Sequence, residues 1–449
     1  MSKSKLSLAA AGVISALTMG VQTQDVEAAN WLMLQGTEAP GTAGRAKVWG
    51  FVQPEAQYIE GTTVPAGAFK GAIMQPNTIG PDRNSRATMG IRRARIGVRG
   101  QGFPLDNKTN YFILAEFGHN GVTSPGPNRN GAAYLTDASV TLNHIPYARF
   151  RVGQFKTPGS EEGLQAIHVF DYINFTNGAD QLLMERFAAG DGSTANVKNA
   201  PIAGVGAFRD IGAQLFDTIK MKNNEISYAF MIGNGNGINS QDNNTKKDLY
   251  GYLSYEMVLG GKGGRRQGAK FFAWTHQGKR TLTAEGAGEY DRNRSGLGFT
   301  FRKGPYRAAG EFIMADGLIR NGTDGGAKVG QKSADGTKTA GLNFLTDDEA
   351  NAYYVHVGYA VLPKLELDLR YDVLNRATKV EKNERTFSTI TLGAQYFINK
   401  KTRITVNYEL RNMEVANPSA IGDAAKRAAA EKIAGAVDNK ASIQLLAIF

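Results

Sequence analysis

The chain has 449 residues, a formal net charge of +11 at pH 7 and no cysteine. Without cysteine there is neither a disulfide framework nor a thiolate metal site, and only five scattered histidines argue against a histidine-based one. After the N-terminal segment no apolar run reaches about eighteen residues, so the sequence predicts no transmembrane helix. The basic balance alone would suit nucleic acid, acidic glycans or small anions as partners.

The N-terminus has the three parts of a secretory signal peptide. Lys3 and Lys5 supply a positive start, and residues 6–19 form a short apolar stretch without charge. Ala28 then ends a site that has small or β-branched residues where a signal peptidase needs them. We therefore predict a signal peptide at residues 1–28 and export of the rest.

The mature chain begins with a short lead and continues as one series of alternating segments. The lead, residues 29–44, is rich in Gly, Pro and Thr and has no room for a separate domain. Residues 45–449 contain sixteen segments, each about ten residues long, in which apolar and polar side chains alternate. Such alternation predicts β-strands with one apolar and one polar face.

The connections between these segments alternate in length. Five are short, at residues 102–108, 144–146, 303–304, 362–364 and 399–401. Those after the first, third, fifth, eleventh and fifteenth segments are long and rich in Gly, Asn, Asp and Ser. Short periplasmic turns opposite long extracellular loops are typical of a transmembrane barrel, and an even strand count returns both ends to the same side.

The fold class that we predict is therefore all-β, a 16-stranded antiparallel transmembrane β-barrel in the outer membrane of a Gram-negative cell. A soluble β-sandwich with a turn every 8–12 residues is the alternative. That alternative does not predict the alternation in connection length, and it would rarely place tyrosine at both ends of an apolar face, as Tyr353 and Tyr359 do.

The longest connection, residues 157–205, carries no strong strand pattern. It follows a strand that places Arg149 and Arg151 on one face and apolar residues on the other. Loops of this length in a compact domain are usually functional or disordered. We interpret it as an inward-folded third loop that constricts the pore beside a wall of arginines.

Two other stretches depart from plain alternation. Residues 423–434 are rich in strong helix formers and predict a short, solvated helix in the loop before the last strand. Arg92 falls on the apolar side of its segment, so we expect it at a strand end, where its charged head can reach water.

Several motifs resemble one family. The stretch ARFRVGQFKTPGSEE, followed by LLMERF, RDIGAQLF and YAFMIGNGNGIN, resembles the phosphate-selective porin O and P family. The terminal LLAIF, which ends at Phe449, resembles the β-signal read by the barrel-assembly machinery. The resemblance covers about Lys47 to Phe449. It implies a homotrimeric porin with an arginine-lined pore through which anions diffuse, phosphate in the founding members. Outer-membrane lipid and lipopolysaccharide are further expected partners, and nucleic acid is not.

A channel needs charges on its wall rather than catalytic groups. The candidate pore-lining, anion-binding residues are all basic: Arg93, Arg95, Arg99, Arg149, Arg151 and Lys156. Arginine suits oxyanions because its planar, always charged fork donates to two oxygens. Alternatively, these side chains pair with Glu116, Asp137, Glu161 or Glu162, and the protein is a general, weakly selective porin for small hydrophilic solutes.

Other classes of protein fit the sequence less well. A hydrolase would need a Ser–His pair with an orienting group. His144 sits in a tight turn, His356 stands alone on a lumen face where we expect it to be solvated, and no G-x-S-x-G occurs. We therefore predict no enzyme and no cofactor. A structural or adhesive barrel would have a plugged interior, and glycine and charge on the inner faces argue against such a plug.

Overall fold

The structure is a computed structural model. It describes residues 30–33, 46–60, 63–74, 87–102, 106–120, 123, 133–184, 186–188, 201–205, 207–239, 242, 244–261, 266–282, 288–321, 326–327, 331–340 and 344–449. The predicted signal peptide and most of the predicted lead lie outside the described residues and stay predictions.

Sixteen antiparallel strands form a closed barrel, and each predicted segment supplies one of them. Their bounds are β1 (Lys47–Ile59), β2 (Ala87–Gln101), β3 (Thr109–Glu116), β4 (Tyr134–Ile145), β5 (Ala148–Lys156), β6 (Arg209–Met221), β7 (Asn224–Gly233), β8 (Asp248–Gly260), β9 (Gln267–Leu282), β10 (Gly288–Lys303), β11 (Tyr306–Asp316), β12 (Glu349–Leu362), β13 (Leu365–Arg376), β14 (Arg385–Asn399), β15 (Thr402–Val415) and β16 (Lys440–Ile448). Every strand pairs with the next, and β16 pairs with β1. The predicted barrel is confirmed.

The alternation in sequence becomes an apolar outer face and a polar inner face. Leu369 on β13 and Leu392 on β14 are cross-strand partners that point outward and are exposed. Their neighbours Arg370 and Thr391 are also partners, but they point inward and are buried. An apolar belt around a polar interior is the arrangement that a barrel needs in lipid.

The barrel closes where the C-terminus meets β1. Phe449 N donates to Gly50 O at 3.0 Å, and Gly50 N donates to Phe449 O at 3.2 Å. A side chain at position 50 would collide with the Phe449 ring and with the backbone of Arg95. Phe449, the predicted assembly signal, therefore lies at the closing seam, and its role in assembly stays a prediction.

Arg92 does not lie where the sequence pattern places it. Gln53 pairs with Arg93 but Pro54 pairs with Ile91, so Arg92 is the extra residue of a β-bulge. The bulge turns Arg92 inward, where it is buried and its Nη1 lies 3.2 Å from Glu55 Oε2. The expectation of an arginine in water at a strand end is wrong, because the bulge reverses the parity of the strand.

The helix before the last strand is present at Ala424–Ala434. Asp423 caps it by accepting from the backbone N–H groups of Lys426 and Ala425, which lowers the pKa of the Asp423 carboxyl. Most of the helix is solvated, as predicted, but Ile433 packs against Val64 and neighbouring residues of other extracellular loops. None of the helices in the described part of the chain has the length and apolar character of a membrane span.

The outer belt yields a stability prediction. Leu369→Arg should lower the free energy of unfolding by about 2–4 kcal/mol, because it places a charge near the middle of the lipid-facing surface. Urea titration in phospholipid vesicles, followed by tryptophan fluorescence, measures the change. Val380→Arg is the control, since Val380 is exposed in the loop after β13. Equal losses in the two variants would contradict the assignment of Leu369 to the lipid face.

Candidate functional site: the barrel lumen and its loop

The long loop after β5 lies inside the barrel and reaches its far wall. Ile173 N donates to Asn407 Oδ1 on β15 at 2.7 Å. Asn177 N donates to Asp372 Oδ1 on β13 at 2.9 Å. Strands β13 and β15 lie across the lumen from β5, so the loop crosses the pore. Its later part contains a hairpin, Arg186–Ala188 with Pro201–Val205, that the sequence pattern does not predict.

The start of the loop is tied to the barrel by its two acidic residues. Glu161 Oε2 accepts from Lys270 Nζ on β9 at 2.6 Å. Glu162 Oε1 accepts from Arg370 Nη1 on β13 at 3.3 Å. Both carboxylates are buried. They therefore pair with cations other than the six candidate residues, and they fix the loop in the lumen.

Two of the predicted site residues form ion pairs with carboxylates of neighbouring strands. Arg95 Nε donates to Glu116 Oε2 at 2.7 Å, and both side chains are buried. Arg149 pairs with Asp217 on β6. The charges of Arg95 and Arg149 are thus matched locally, as the alternative interpretation of the arginines expects.

The other four candidates contact neutral groups. Arg93 Nη1 donates to Gln53 Oε1 at 3.1 Å. Arg151 Nε donates to Thr141 Oγ1 at 3.2 Å, and its guanidinium lies over the Phe216 ring. Lys156 Nζ donates to the carbonyls of Gln165 at 2.7 Å and Leu164 at 3.3 Å. Arg99 is half-buried, and its guanidinium lies 5.8 Å from the centre of the Phe112 ring.

Sequence reasoning missed several lumen residues. Arg209, at the start of β6, forms a two-bond pair with Asp137, at 3.1 Å and 3.0 Å. Arg403 Nη2 donates to Phe170 O of the loop at 2.8 Å. Strand parity gives no signal for the contact of Arg403 with Phe170, because the loop makes it.

His356 is not solvated as expected. It is buried, and its Nε2 lies 3.3 Å from Asp368 Oδ1. Its ring packs edge-on against Tyr172 of the loop. The loop covers a face that the strand pattern alone would leave in water.

The lumen is narrow on both sides of the loop. A cavity of about 100 Å³ lies on the periplasmic side, lined by Lys270, Arg302 and Arg307 among others. A cavity of about 50 Å³ lies on the extracellular side, next to Arg209 and Arg292. Many inner charges bond to the loop instead of facing open water, as Arg370 does with Glu162.

The lumen charges are unevenly distributed. On the wall formed by β2 to β6, the buried cations among the described residues outnumber the buried acids: the cations are Arg92, Arg93, Arg95, Arg151, Lys156 and Arg209, and the acids are Glu116, Asp137, Asp210 and Asp217. On the far wall, acids and arginines pair closely, as Arg307 does with Asp368. One wall therefore carries an excess of positive charge.

Comparison with solved structures gives the same architecture. An anion-selective porin from Comamonas acidovorans is 15% identical with a TM-score of 0.53, over 90% of this chain and 99% of that one. The outer-membrane channel DcaP of Acinetobacter baumannii is 14% identical with a TM-score of 0.50, over 93% and 100%. Salmonella typhi OmpF, in complex with daunomycin, is 11% identical with a TM-score of 0.51, over 90% and 97%. No curated protein sequence matches the chain.

The closed sixteen-stranded barrel, together with a match to a porin family model, defines the class of protein, which is a porin of the outer membrane of Gram-negative bacteria. A family model described as "Phosphate-selective porin O and P" matches residues 76–248. The match covers less than half of the chain, but it includes the motifs from Ala148 to Asn239 and confirms the predicted resemblance to this family. The fold and the family are those of channels rather than enzymes.

The buried Arg95–Glu116 pair gives a second stability prediction. Glu116 also accepts from the N–H groups of Ala94 and Gly118, both at 2.8 Å. Glu116→Gln should lower the free energy of unfolding by about 3 kcal/mol, because it leaves a buried guanidinium without its counter-charge. The urea titration described for Leu369→Arg measures this change in the free energy of unfolding. Glu289→Gln, an exposed change at the start of β10, should stay within about 0.5 kcal/mol of wild type. A Glu116 variant as stable as this control would show that the pair is dispensable.

Proposed function

We propose that this porin passes small anions, phosphate among them, by passive diffusion between the loop and the basic wall of β2 to β6. The observation that carries the proposal is the charge imbalance of that wall. Among the described residues of that wall the buried cations, Arg93, Arg95 and Arg151 among them, outnumber the buried acids by six to four. An excess of fixed positive charge lowers the entry barrier for anions and raises it for cations.

The chemistry of the wall suits oxyanions in particular. Guanidinium groups stay charged and offer forked donors that match phosphate or carboxylate oxygens. Arg93 donates to Gln53 Oε1 and Arg151 to Thr141 Oγ1, and an arriving anion can replace these hydrogen bonds to neutral oxygens. The Comamonas porin is described as anion-selective, and we extend that property to this chain on the strength of its own arginines.

A general, weakly selective porin is the second candidate function. It is favoured by the ion pairs Arg95–Glu116, Arg149–Asp217 and Arg209–Asp137, which neutralise much of the same wall. In that case the remaining arginines would only hold the wall together, and pore width alone would select solutes.

We also propose a signal peptide at residues 1–28 and assembly into a homotrimer. Apart from Phe150, the outward side chains in the middle of β2, β4 and β5 are small or aliphatic, as at Ala94, Ile96, Val140 and Val152. The outward side chains of β9 to β13 include many aromatic rings, among them Phe271, Phe299, Phe312, Tyr353 and Tyr371. The face formed by β2, β4 and β5 suits packing against other copies of the chain, and the aromatic face of β9 to β13 suits contact with lipid.

The trimer can be tested on the detergent-solubilised protein. We expect native mass spectrometry to give three copies of a chain that begins near residue 29. A mass of one copy under conditions that keep a known porin trimer intact would contradict the proposed assembly, and an intact N-terminus would contradict the proposed cleavage.

The anion preference is tested by reversal potential in planar bilayers under a chloride gradient and then a phosphate gradient. Wild type should prefer the anion in both salts. The triple variant Arg93→Gln/Arg99→Gln/Arg151→Gln should lose most of this preference, because three fixed charges leave the basic wall while hydrogen-bonding side chains remain.

The matched control removes the same charge elsewhere. Lys426→Gln/Arg427→Gln/Lys432→Gln acts on the surface helix and should keep the wild-type reversal potential. If wild type shows no preference, or if both triple variants change it equally, the protein is a general porin. If the channel prefers anions in chloride but carries no current in phosphate, phosphate is ruled out as a solute and the anion preference stands.

A further inference from the structure

A short N-terminal segment lies inside the pore. Residues Trp31–Met33 form a single 3-10 turn within the barrel, in which Trp31 and Leu32 are buried. Asn30 Nδ2 donates to Ser227 Oγ at 2.7 Å and to Thr218 Oγ1 at 2.9 Å. Thr218 and Ser227 flank the turn between β6 and β7, so the segment sits in the periplasmic half of the lumen.

The inner wall is shaped for this segment. Phe216, Tyr252 and Phe272 point inward from β6, β8 and β9 and form an apolar cluster with Trp31 and Leu32. Large apolar side chains on the wall of a water-filled pore are unfavourable, because their surface would be exposed to solvent. The segment, with apolar residues of the loop, covers this patch and removes it from water.

The segment is also bonded to the loop that narrows the pore. Trp31 Nε1 donates to Glu161 Oε1 at 2.9 Å, while the other oxygen of the same carboxylate accepts from Lys270 at 2.6 Å. Met33 Sδ lies 4.0 Å from Arg149 Nη1 on the basic wall. Trp31 also lines the periplasmic cavity. The segment and the loop therefore meet in the lumen, beside the periplasmic cavity.

We infer that residues 30–33 act as a plug that obstructs the periplasmic half of the pore and limits its conductance. The inference rests on the protein being a porin and does not depend on its ion preference.

Single-channel conductance in planar bilayers tests the plug. We compare wild type, a chain whose mature part lacks residues 30–44, and Trp31→Ala/Leu32→Ser. Both variants should raise the open-channel conductance about twofold or more, because the narrowest part of the pore widens. Their reversal potentials should stay at the wild-type value, since Arg93, Arg99 and Arg151 are unchanged. Lys426→Ala on the surface helix is the control and should conduct as wild type does.

A disulfide lock provides a second, reversible measurement. The chain has no cysteine, so Asn30→Cys/Ser227→Cys introduces the only pair. The oxidised channel should keep a conductance no higher than wild type, with fewer opening events, and dithiothreitol should restore wild-type behaviour.

Wild-type conductance in both the truncated chain and the Trp31/Leu32 variant would overturn the plug, and so would a cross-linked channel that conducts like the truncated one. If the variants raise the conductance as expected but the wild-type channel shows no anion preference, only the proposed selectivity is overturned.

Discussion

The constraint on which this structure depends is that lipid offers no hydrogen-bond partner to the backbone. Every N–H and C=O of a spanning strand must therefore bond to another strand, and only a closed sheet leaves no edge. The seam between β1 and β16, completed by the bonds between Gly50 and Phe449, meets this requirement. Closure in turn fixes which side chains face lipid and which crowd into the lumen, so the polar interior is a consequence of the apolar belt.

A crowded polar lumen creates a second requirement, because buried charges need partners. The barrel satisfies part of it between strands, as Arg95 does with Glu116. The loop satisfies another part with its own carboxylates and with backbone carbonyls, as Phe170 O does for Arg403. The constriction is therefore bonded to the wall from several sides. The cations that outnumber the acids on the wall of β2 to β6 are the ones whose field can act on a passing ion.

The sequence predicts the barrel well because a period of two, repeated sixteen times, is hard to produce by chance. It predicts the site less well, for reasons visible at single residues. Arg92 is misplaced because one bulge beside Pro54 reverses the parity of β2. His356 is wrongly placed in water because Tyr172 of the loop covers it. Contacts between a loop and a wall join residues far apart in the chain, and no local pattern records them.

Loop and plug meet at one residue, and this links selectivity to conductance. Glu161 holds Lys270 of the wall with one oxygen and Trp31 with the other. If Trp31 leaves, the carboxylate keeps its ion pair, so the loop stays anchored while the periplasmic half opens. The basic wall on β2 to β6 keeps all of its charged side chains in that step. The two features then have separate roles. The basic wall determines which ions pass, and the plug limits the conductance of the pore.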